Sequence, residues 1–386
     1  MPAVKKSKTE DSPDGRAAAE KPSSNKTVIV GVFGRETSRT EAEDHLDELE
    51  RLVDTAGGVV VARALQERPT PDPATFVGRG KVKEIAEVAE GLGAGWTIFD
   101  DELTPSQIKN LEKALPTNVL DRSAVILQIF ASRARSREAM TQVELARLQY
   151  LLPRLSGSTT GLAQQRGGGA FRGGGGEKQI ELDRRKIRRK IATLKEELAR
   201  IEKSLGVRRK GLRKVATVAL AGYTNAGKTT LFNKLTSSKE FAEDRLFATL
   251  DPRHARLLGV GGRAIVTADT VGFLRKLPHS LVASFRSTLK EVEEADLVVH
   301  VVDASSAQAD SQRRVAEEVL AEMGVEKDRI LLVYNKVDRP HPAALDPDGL
   351  LISAVTGDGL DRLRAAVIAR LEALGVTVPF YGRGTP

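Results

Sequence analysis

An almost wholly apolar run, Val215–Ala221, leads directly into Gly222-Tyr-Thr-Asn-Ala-Gly-Lys228-Thr229, and a helical pattern follows. Strand, glycine loop and helix in that order leave few folds open. The glycines let backbone N–H groups curl round phosphates at a helix N-terminus, and such loops sit where parallel strands end. Ala264–Ala268, Leu297–Val302, Ile330–Tyr334 and Leu350–Ile352 repeat the apolar runs that strands covered on both faces require. Residues 214–374 are therefore expected to form a P-loop α/β domain of the doubly wound, Ras-like kind.

Chemistry enters with the loops that follow those strands. Gly222, Tyr223, Thr224, Asn225, Ala226, Gly227, Lys228, Thr229 and Thr230 form the expected phosphate cradle. Lys228 is expected to neutralise the β- and γ-phosphates, and the Thr229 hydroxyl to ligate Mg²⁺. Asp269, opening Asp269-Thr-Val-Gly272, would hold Mg²⁺ through water, and the Gly272 amide would meet the γ-phosphate. Thr249, beside Phe247 in Phe247-Ala-Thr-Leu-Asp251, is expected to complete the Mg²⁺ shell only with a triphosphate bound. Asn335-Lys336-Val-Asp338 selects the base. A carboxylate at Asp338 accepts from guanine N1–H and the 2-amino group together, whereas adenine leaves it unpaired. Asn335 and Lys336 would brace that loop, and Ser353-Ala354 would close over the base O6. Together these stretches predict a chain that binds GTP or GDP and hydrolyses GTP, with Lys228, Thr249 and Gly272 nearest the reaction.

The position after Asp-x-x-Gly, where many GTPases carry a water-orienting Gln, holds Phe273. Intrinsic hydrolysis is therefore expected to be slow and to need a partner surface. His279 is read as a packing histidine rather than a base. Asn225 resembles the asparagine of GTPases that use K⁺ beside the phosphates, which makes K⁺ a second candidate cofactor.

Upstream, residues 1–26 are polar and charged and are expected as a disordered tail. Strand and helix patterns alternate through 27–131, predicting a small parallel α/β domain that ends near Ile129-Phe130. A helical arm is expected over 132–213. One helix runs from Arg137 to Leu152 and stops at Pro153; a loop over 156–176 holds nine glycines; a second helix runs from Ile180 to Leu205. Ile187, Ile191, Leu194, Leu198, Ile201 and Leu205 form a heptad seam, so that helix must lie against another. Residues 375–386 would be a short C-terminal tail.

Charge concentrates on the arm. The chain holds 60 Lys and Arg against 52 acidic residues, a net +8, while 177–214 alone carry 15 basic and 6 acidic residues. Arg184, Arg185, Lys186, Arg188, Arg189 and Lys190 crowd two turns, and Arg166 and Arg172 lie on the glycine loop. Phosphate-backbone contact with structured RNA is the expected use, since no aromatic pair is present to stack bases. There is no cysteine to form a disulfide or ligate zinc, and no apolar run long enough for a membrane span. A cytoplasmic monomer is expected.

Further stretches lie outside any nucleotide site: Gly78-Arg-Gly80-Lys81, Phe99-Asp-Asp-Glu-Leu103, Val119-Leu-Asp-Arg122, Gln142-Val-Glu-Leu-Ala146, Leu152-Pro-Arg-Leu155 and Glu181-Leu-Asp-Arg-Arg185. With Phe247–Pro252 and Asp269–Phe273…Leu277-Pro-His279, they resemble the HflX family of translational GTPases over about Thr27 to Leu374. The resemblance implies binding to the large (50S) ribosomal subunit, splitting of stalled ribosomes under stress, and hydrolysis stimulated by the ribosome. It also implies that the glycine-tipped arm contacts rRNA. The tip reads Arg172-Gly-Gly-Gly-Gly-Glu177 where relatives typically carry a proline, and many relatives have a further small C-terminal domain. An ATP-linked activity is associated with the family's N-terminal domain, yet 27–130 contain no Walker motif. A GTPase of large-subunit assembly and a GTP-gated RNA-binding protein remain as alternatives.

Overall fold

The structure is a computed structural model and describes residues 24–35, 37–155, 176–212, 215–236, 238, 246, 247, 251, 253–276, 286–340 and 345–380. The first sheet is built from β1 (Lys26–Phe33), β2 (Val59–Glu67), β3 (Trp96–Phe99) and β4 (Asn118–Asp121). Its order is β2-β1-β3-β4 and every pairing is parallel. Helices α1 (Arg39–Thr55), α2 (Arg79–Leu92), α3 (Pro105–Ala114) and α4 (Arg122–Arg133) connect and cover it. Their starts are written locally. Ser38 and Glu41 close a capping box on α1, Thr104 and Gln107 close one on α3, and Asp121 caps α4.

The arm follows. Helix α5 (Arg137–Arg154) packs along α6 (Gly176–Leu212), and Arg137 pairs with Glu197 at 2.8 Å. Leu194 is buried and Ile187, Ile191, Leu198 and Ile201 are half-buried among exposed neighbours, as the heptad seam predicts. The helix bounds differ from expectation. Helix α5 runs through Pro153, because a proline in the last turn removes one bond while Leu155 N–H still reaches the Leu151 carbonyl. Helix α6 continues through Gly206 and Gly211, whose cost of about 1 kcal/mol each does not end so long a helix. At its base α5 is tied to the first sheet: the Tyr150 hydroxyl and the Arg154 guanidinium both donate to Asp121, at 2.8 and 3.1 Å.

The second sheet has the order β10-β9-β8-β5-β7-β6. It comprises β5 (Ala216–Gly222), β6 (Arg253–Arg256), β7 (Ile265–Asp269), β8 (Leu297–Asp303), β9 (Ile330–Asn335) and β10 (Leu350–Leu351). Helices α7 (Lys228–Leu235), α8 (Arg286–Glu294), α9 (Ala309–Glu322) and α10 (Leu360–Ala373) cover it. All pairs are parallel except β6 with β7. That antiparallel edge was not expected, since Arg-His-Ala-Arg has none of the apolar content of the other strands. The two sheets share a core. Ile29, Leu46, Leu49 and Phe130 of the first unit are buried in one cluster with Leu246, Phe247, Val271 and Leu274 of the second.

Candidate nucleotide site

Strand β5 ends at Gly222, whose φ is +144° and where a Cβ would strike the Val301 carbonyl oxygen at 2.1 Å. Five residues on, Gly227 has φ +90°, and a Cβ there would meet Asn335 Nδ2 at 2.3 Å. Glycine at both places is thus a packing requirement as well as a conformational one. Between them, the Thr224 N–H donates to the Phe273 carbonyl (2.8 Å) and the Phe273 N–H to the Gly222 carbonyl (3.0 Å). The loop that begins at Asp269 is therefore stitched edge to edge onto the phosphate loop.

Lys228 opens α7 and is buried. Its ammonium donates to the carbonyls of Tyr223 (2.8 Å) and Gly222 (3.2 Å), and burial pushes its pKa down to about 8. Gly272 lies against it, so that a Cβ would sit 2.8 Å from both Lys228 Nζ and Thr224 Cα. The next side chain, Thr229, points its hydroxyl at Asp269 Oδ2, 2.8 Å away, and Asp269 is wholly buried at the end of β7. A hydroxyl and a carboxylate oxygen meeting beside a phosphate loop are the donors that a hard cation such as Mg²⁺ takes. Thr230 follows, half-buried on the same helix.

The loops expected to recognise the base are tied together by side chains. Asn335 Nδ2 donates to the Ala226 carbonyl and its Oδ1 accepts from the Ala354 N–H, both at 2.9 Å, joining three motifs through one side chain. Lys336 lies across the loop, donating to the Asn225 carbonyl (2.8 Å) and to Asp303 (2.7 Å). Asp338 is exposed, with a hydrogen bond from Ser353 holding its carboxyl below the usual range. It is therefore a charged acceptor facing solvent. Asn225 is also exposed, at φ +62°.

Other predicted positions fall elsewhere. Phe247 is stacked edge-on against Phe130, ring centroids 4.6 Å apart, and is 2% exposed. It belongs to the shared core rather than to the nucleotide contacts, because an aromatic ring finds more apolar surface there than beside phosphates. Phe273 is likewise buried, among Ala219, Val292 and Leu320, and cannot orient water. Thr249, His279, Arg166 and Arg172 lie outside the described residues. On α6, Arg185, Lys186, Arg188, Arg189 and Lys190 are exposed and Arg184 half-buried. Lys186 and Arg188 each lie 3.5 Å from an acid of the same helix, Asp183 and Glu181.

Sequence reasoning missed two features. Asp303, which holds Lys336, was legible as the carboxylate that ends the apolar strand β8. The role of the Tyr223 side chain was not legible. Its hydroxyl donates to Glu48 of α1 and accepts from the Arg275 N–H at 2.9 Å, and Glu48 in turn pairs with buried Arg122.

Three family matches tile the chain: GTP-binding GTPase N-terminal over 43–131, GTP-binding GTPase Middle Region over 133–211, and 50S ribosome-binding GTPase over 217–336. A protein named GTPase HflX from Lacrimispora saccharolytica is 46% identical over 330 residues, 84% of this chain and 78% of that one. One of the same name from Escherichia coli K12 is 42% identical over 355 residues, 89% of this chain and 82% of that one. A solved GTP-binding protein from the archaeon Sulfolobus solfataricus, in complex with GDP, is 24% identical with a TM-score of 0.46; the match covers 90% of this chain and 99% of that one.

Proposed function

The chain belongs to the HflX family of GTPases, and we propose that it is a GTP hydrolase driven by the large ribosomal subunit, acting to split or rescue stalled ribosomes. The observation that carries the reading is a braced set of nucleotide loops in which the side chain after Gly272 is unable to position water. Phe273 lies in the core where a catalytic Gln would stand. An enzyme built this way relies on backbone geometry, and a partner that orders its loops accelerates it. The match of 217–336 to a 50S ribosome-binding GTPase and the exposed cations of α6 both point to that subunit as the partner.

In this reading the β- and γ-phosphates lie over the Gly222–Thr229 loop, where Lys228 exchanges its two carbonyl partners for phosphate oxygens. Thr229 and Asp269 would hold Mg²⁺, with Thr249 joining when GTP is bound; the ion would neutralise charge on the transferred phosphoryl group. The Gly272 amide donates to the γ-phosphate and thereby fixes the loop 269–276. Asp338 accepts from guanine, Lys336 covers it along its aliphatic stem, and Asn335 holds the three loops in register. Exposed arginines and lysines of α6 contact rRNA phosphates.

GTP turnover measured with and without purified large subunits tests this. Strong stimulation is expected, and turnover unchanged by large subunits would reject the ribosomal reading. Stimulation by precursor particles but not by mature subunits would move the site of action to subunit assembly.

A further inference from the structure

The phosphate loop holds a polar atom that the fold itself does not use. Thr224 lies in the turn after β5 and is 7% exposed. Its N–H donates to the Phe273 carbonyl, but its hydroxyl is buried with no hydrogen-bond partner among the described residues. Burying a hydroxyl unpaired costs free energy, and a valine of the same shape would fill that space without the cost. Thr267, the other threonine so placed among the described residues, lies inside β7, where β-branched side chains suit the strand. No such preference acts on a glycine loop, so the Thr224 hydroxyl calls for a partner that arrives with the nucleotide.

The neighbours of that hydroxyl say which part of the nucleotide it meets. A Cβ built on Gly272 would lie 2.8 Å from Lys228 Nζ, 2.8 Å from Thr224 Cα and 2.8 Å from Thr224 Cγ2. The Thr224 methyl and the Lys228 ammonium are therefore no further apart than twice that distance, with Gly272 beside both. The hydroxyl hangs from the same carbon as the methyl. Three groups thus surround one point: the ammonium that neutralises the β- and γ-phosphates, the glycine whose amide meets the γ-phosphate, and an unpaired hydroxyl. Phe273, at the position that carries a water-orienting Gln in many GTPases, keeps its ring in the core with Ala219, Val292 and Leu320.

We propose that Thr224 is a catalytic residue whose hydroxyl holds the attacking water against the γ-phosphate. A hydroxyl carries one donor and two acceptor lone pairs, so it donates to a γ-phosphate oxygen while accepting from the water. In the step, the water oxygen bonds to the γ-phosphorus. The bond from that phosphorus to the β–γ bridging oxygen breaks, and its electron pair leaves on GDP. The water proton passes to the released phosphate, and Thr224 keeps its own. The contribution of Thr224 is orientation: it keeps the water in line with the breaking bond, which the buried Phe273 ring cannot do. The proposal rests on the chain being a GTP hydrolase and not on the ribosomal reading.

The test is single-turnover GTP hydrolysis by the full chain without ribosomes, with Thr224→Val, Thr224→Ala and Thr224→Ser beside the parent. Thr224→Val keeps the shape and removes the hydroxyl, and its rate is expected to fall about tenfold or more. Its affinity for GDP should match the parent, and its affinity for a non-hydrolysable GTP analogue should fall by no more than about threefold. Thr224→Ser keeps the hydroxyl without the methyl and should retain most of the rate. An unchanged rate in Thr224→Val, a loss matched by an equal loss of affinity for the GTP analogue, or a serine variant as slow as the valine variant would overturn the proposal. Should Thr224→Val no longer bind GDP, Thr224→Ala carries the test, and an unchanged rate there overturns it. A parent chain that binds GTP and never turns it over would sink the hydrolase reading itself. A parent that turns GTP over no faster than Thr224→Val removes only the role of Thr224.

Discussion

The Thr229 hydroxyl donates to Asp269 Oδ2 across 2.8 Å, joining the first turn of α7 to the end of β7. These residues lie forty positions apart in the chain, and the parallel pairing of β5 with β7 brings them together. Removing the Thr229 oxygen should leave the fold intact and weaken the cation site. Thr229→Val is expected to lose most of the tightening that Mg²⁺ gives to GTP binding, about tenfold or more. Calorimetric titration with Mg²⁺ and with EDTA checks this: the parent should differ between the two, and the variant should not.

Asp338 is exposed, and the Ser353 hydrogen bond holds its carboxyl below the usual carboxylate range. Asp338→Asn puts a donor where guanine needs an acceptor and suits the 2-oxo group of xanthine. GTP affinity is expected to fall by about a hundredfold while xanthosine triphosphate gains. Competition against a fluorescent GDP analogue measures both.

The exposed cations of α6 predict a salt-dependent partner. Reversing Arg185, Arg188 and Arg189 to Glu is expected to weaken binding to large subunits and to flatten its salt dependence. The log–log slope should fall by roughly 0.7–0.9 for each phosphate that the helix no longer neutralises. Intrinsic hydrolysis should not change. Sedimentation of the chain with subunits over a series of KCl concentrations reads the slope.

His300, in the middle of β8, is buried with neither ring nitrogen hydrogen-bonded among the described residues. Burial, then Arg313 and Lys228, push its pKa down to about 4 from 6.5. Between those values the unfolded chain takes up a proton that the folded chain refuses, so stability falls as pH drops from 6.5 to 4. The loss is expected to reach roughly 3 kcal/mol at the acid end. His45 shifts the same way and adds to it. His300→Leu should keep its melting temperature at pH 7 and lose less of it on acidification than the parent. A parallel decline in both proteins would contradict this.

Much of the site was legible because its chemistry sits at fixed spacings: a strand end, a glycine that admits a close neighbour, an oxygen donor one turn into a helix. Motif order marked Asn335 as a brace of its own loop, and only the structure shows that it spans Ala226 and Ala354. The heptad spacing of α6 announced its partner helix, though not where it ends, since propensity costs at Gly206 and Gly211 are small beside a long packed seam. What stayed hidden depends on contacts between units. Nothing adjacent to Phe247 in the chain says that Phe130 waits for it, and Lys276 resembles any surface lysine until Asp100 and Asp101 are brought to it. Tyr223 was counted for its backbone, while its hydroxyl makes the longer link to Glu48.

The central claim is that one pocket in the C-terminal half selects guanine through Asp338 and senses the third phosphate through Gly272. Calorimetric titration of the full chain with non-hydrolysable GTP and ATP analogues in Mg²⁺ tests it most directly. One site per chain is predicted, with the guanine nucleotide bound tighter by about a hundredfold or more. ATP analogue held as tightly as GTP analogue, or no binding of either, would contradict it.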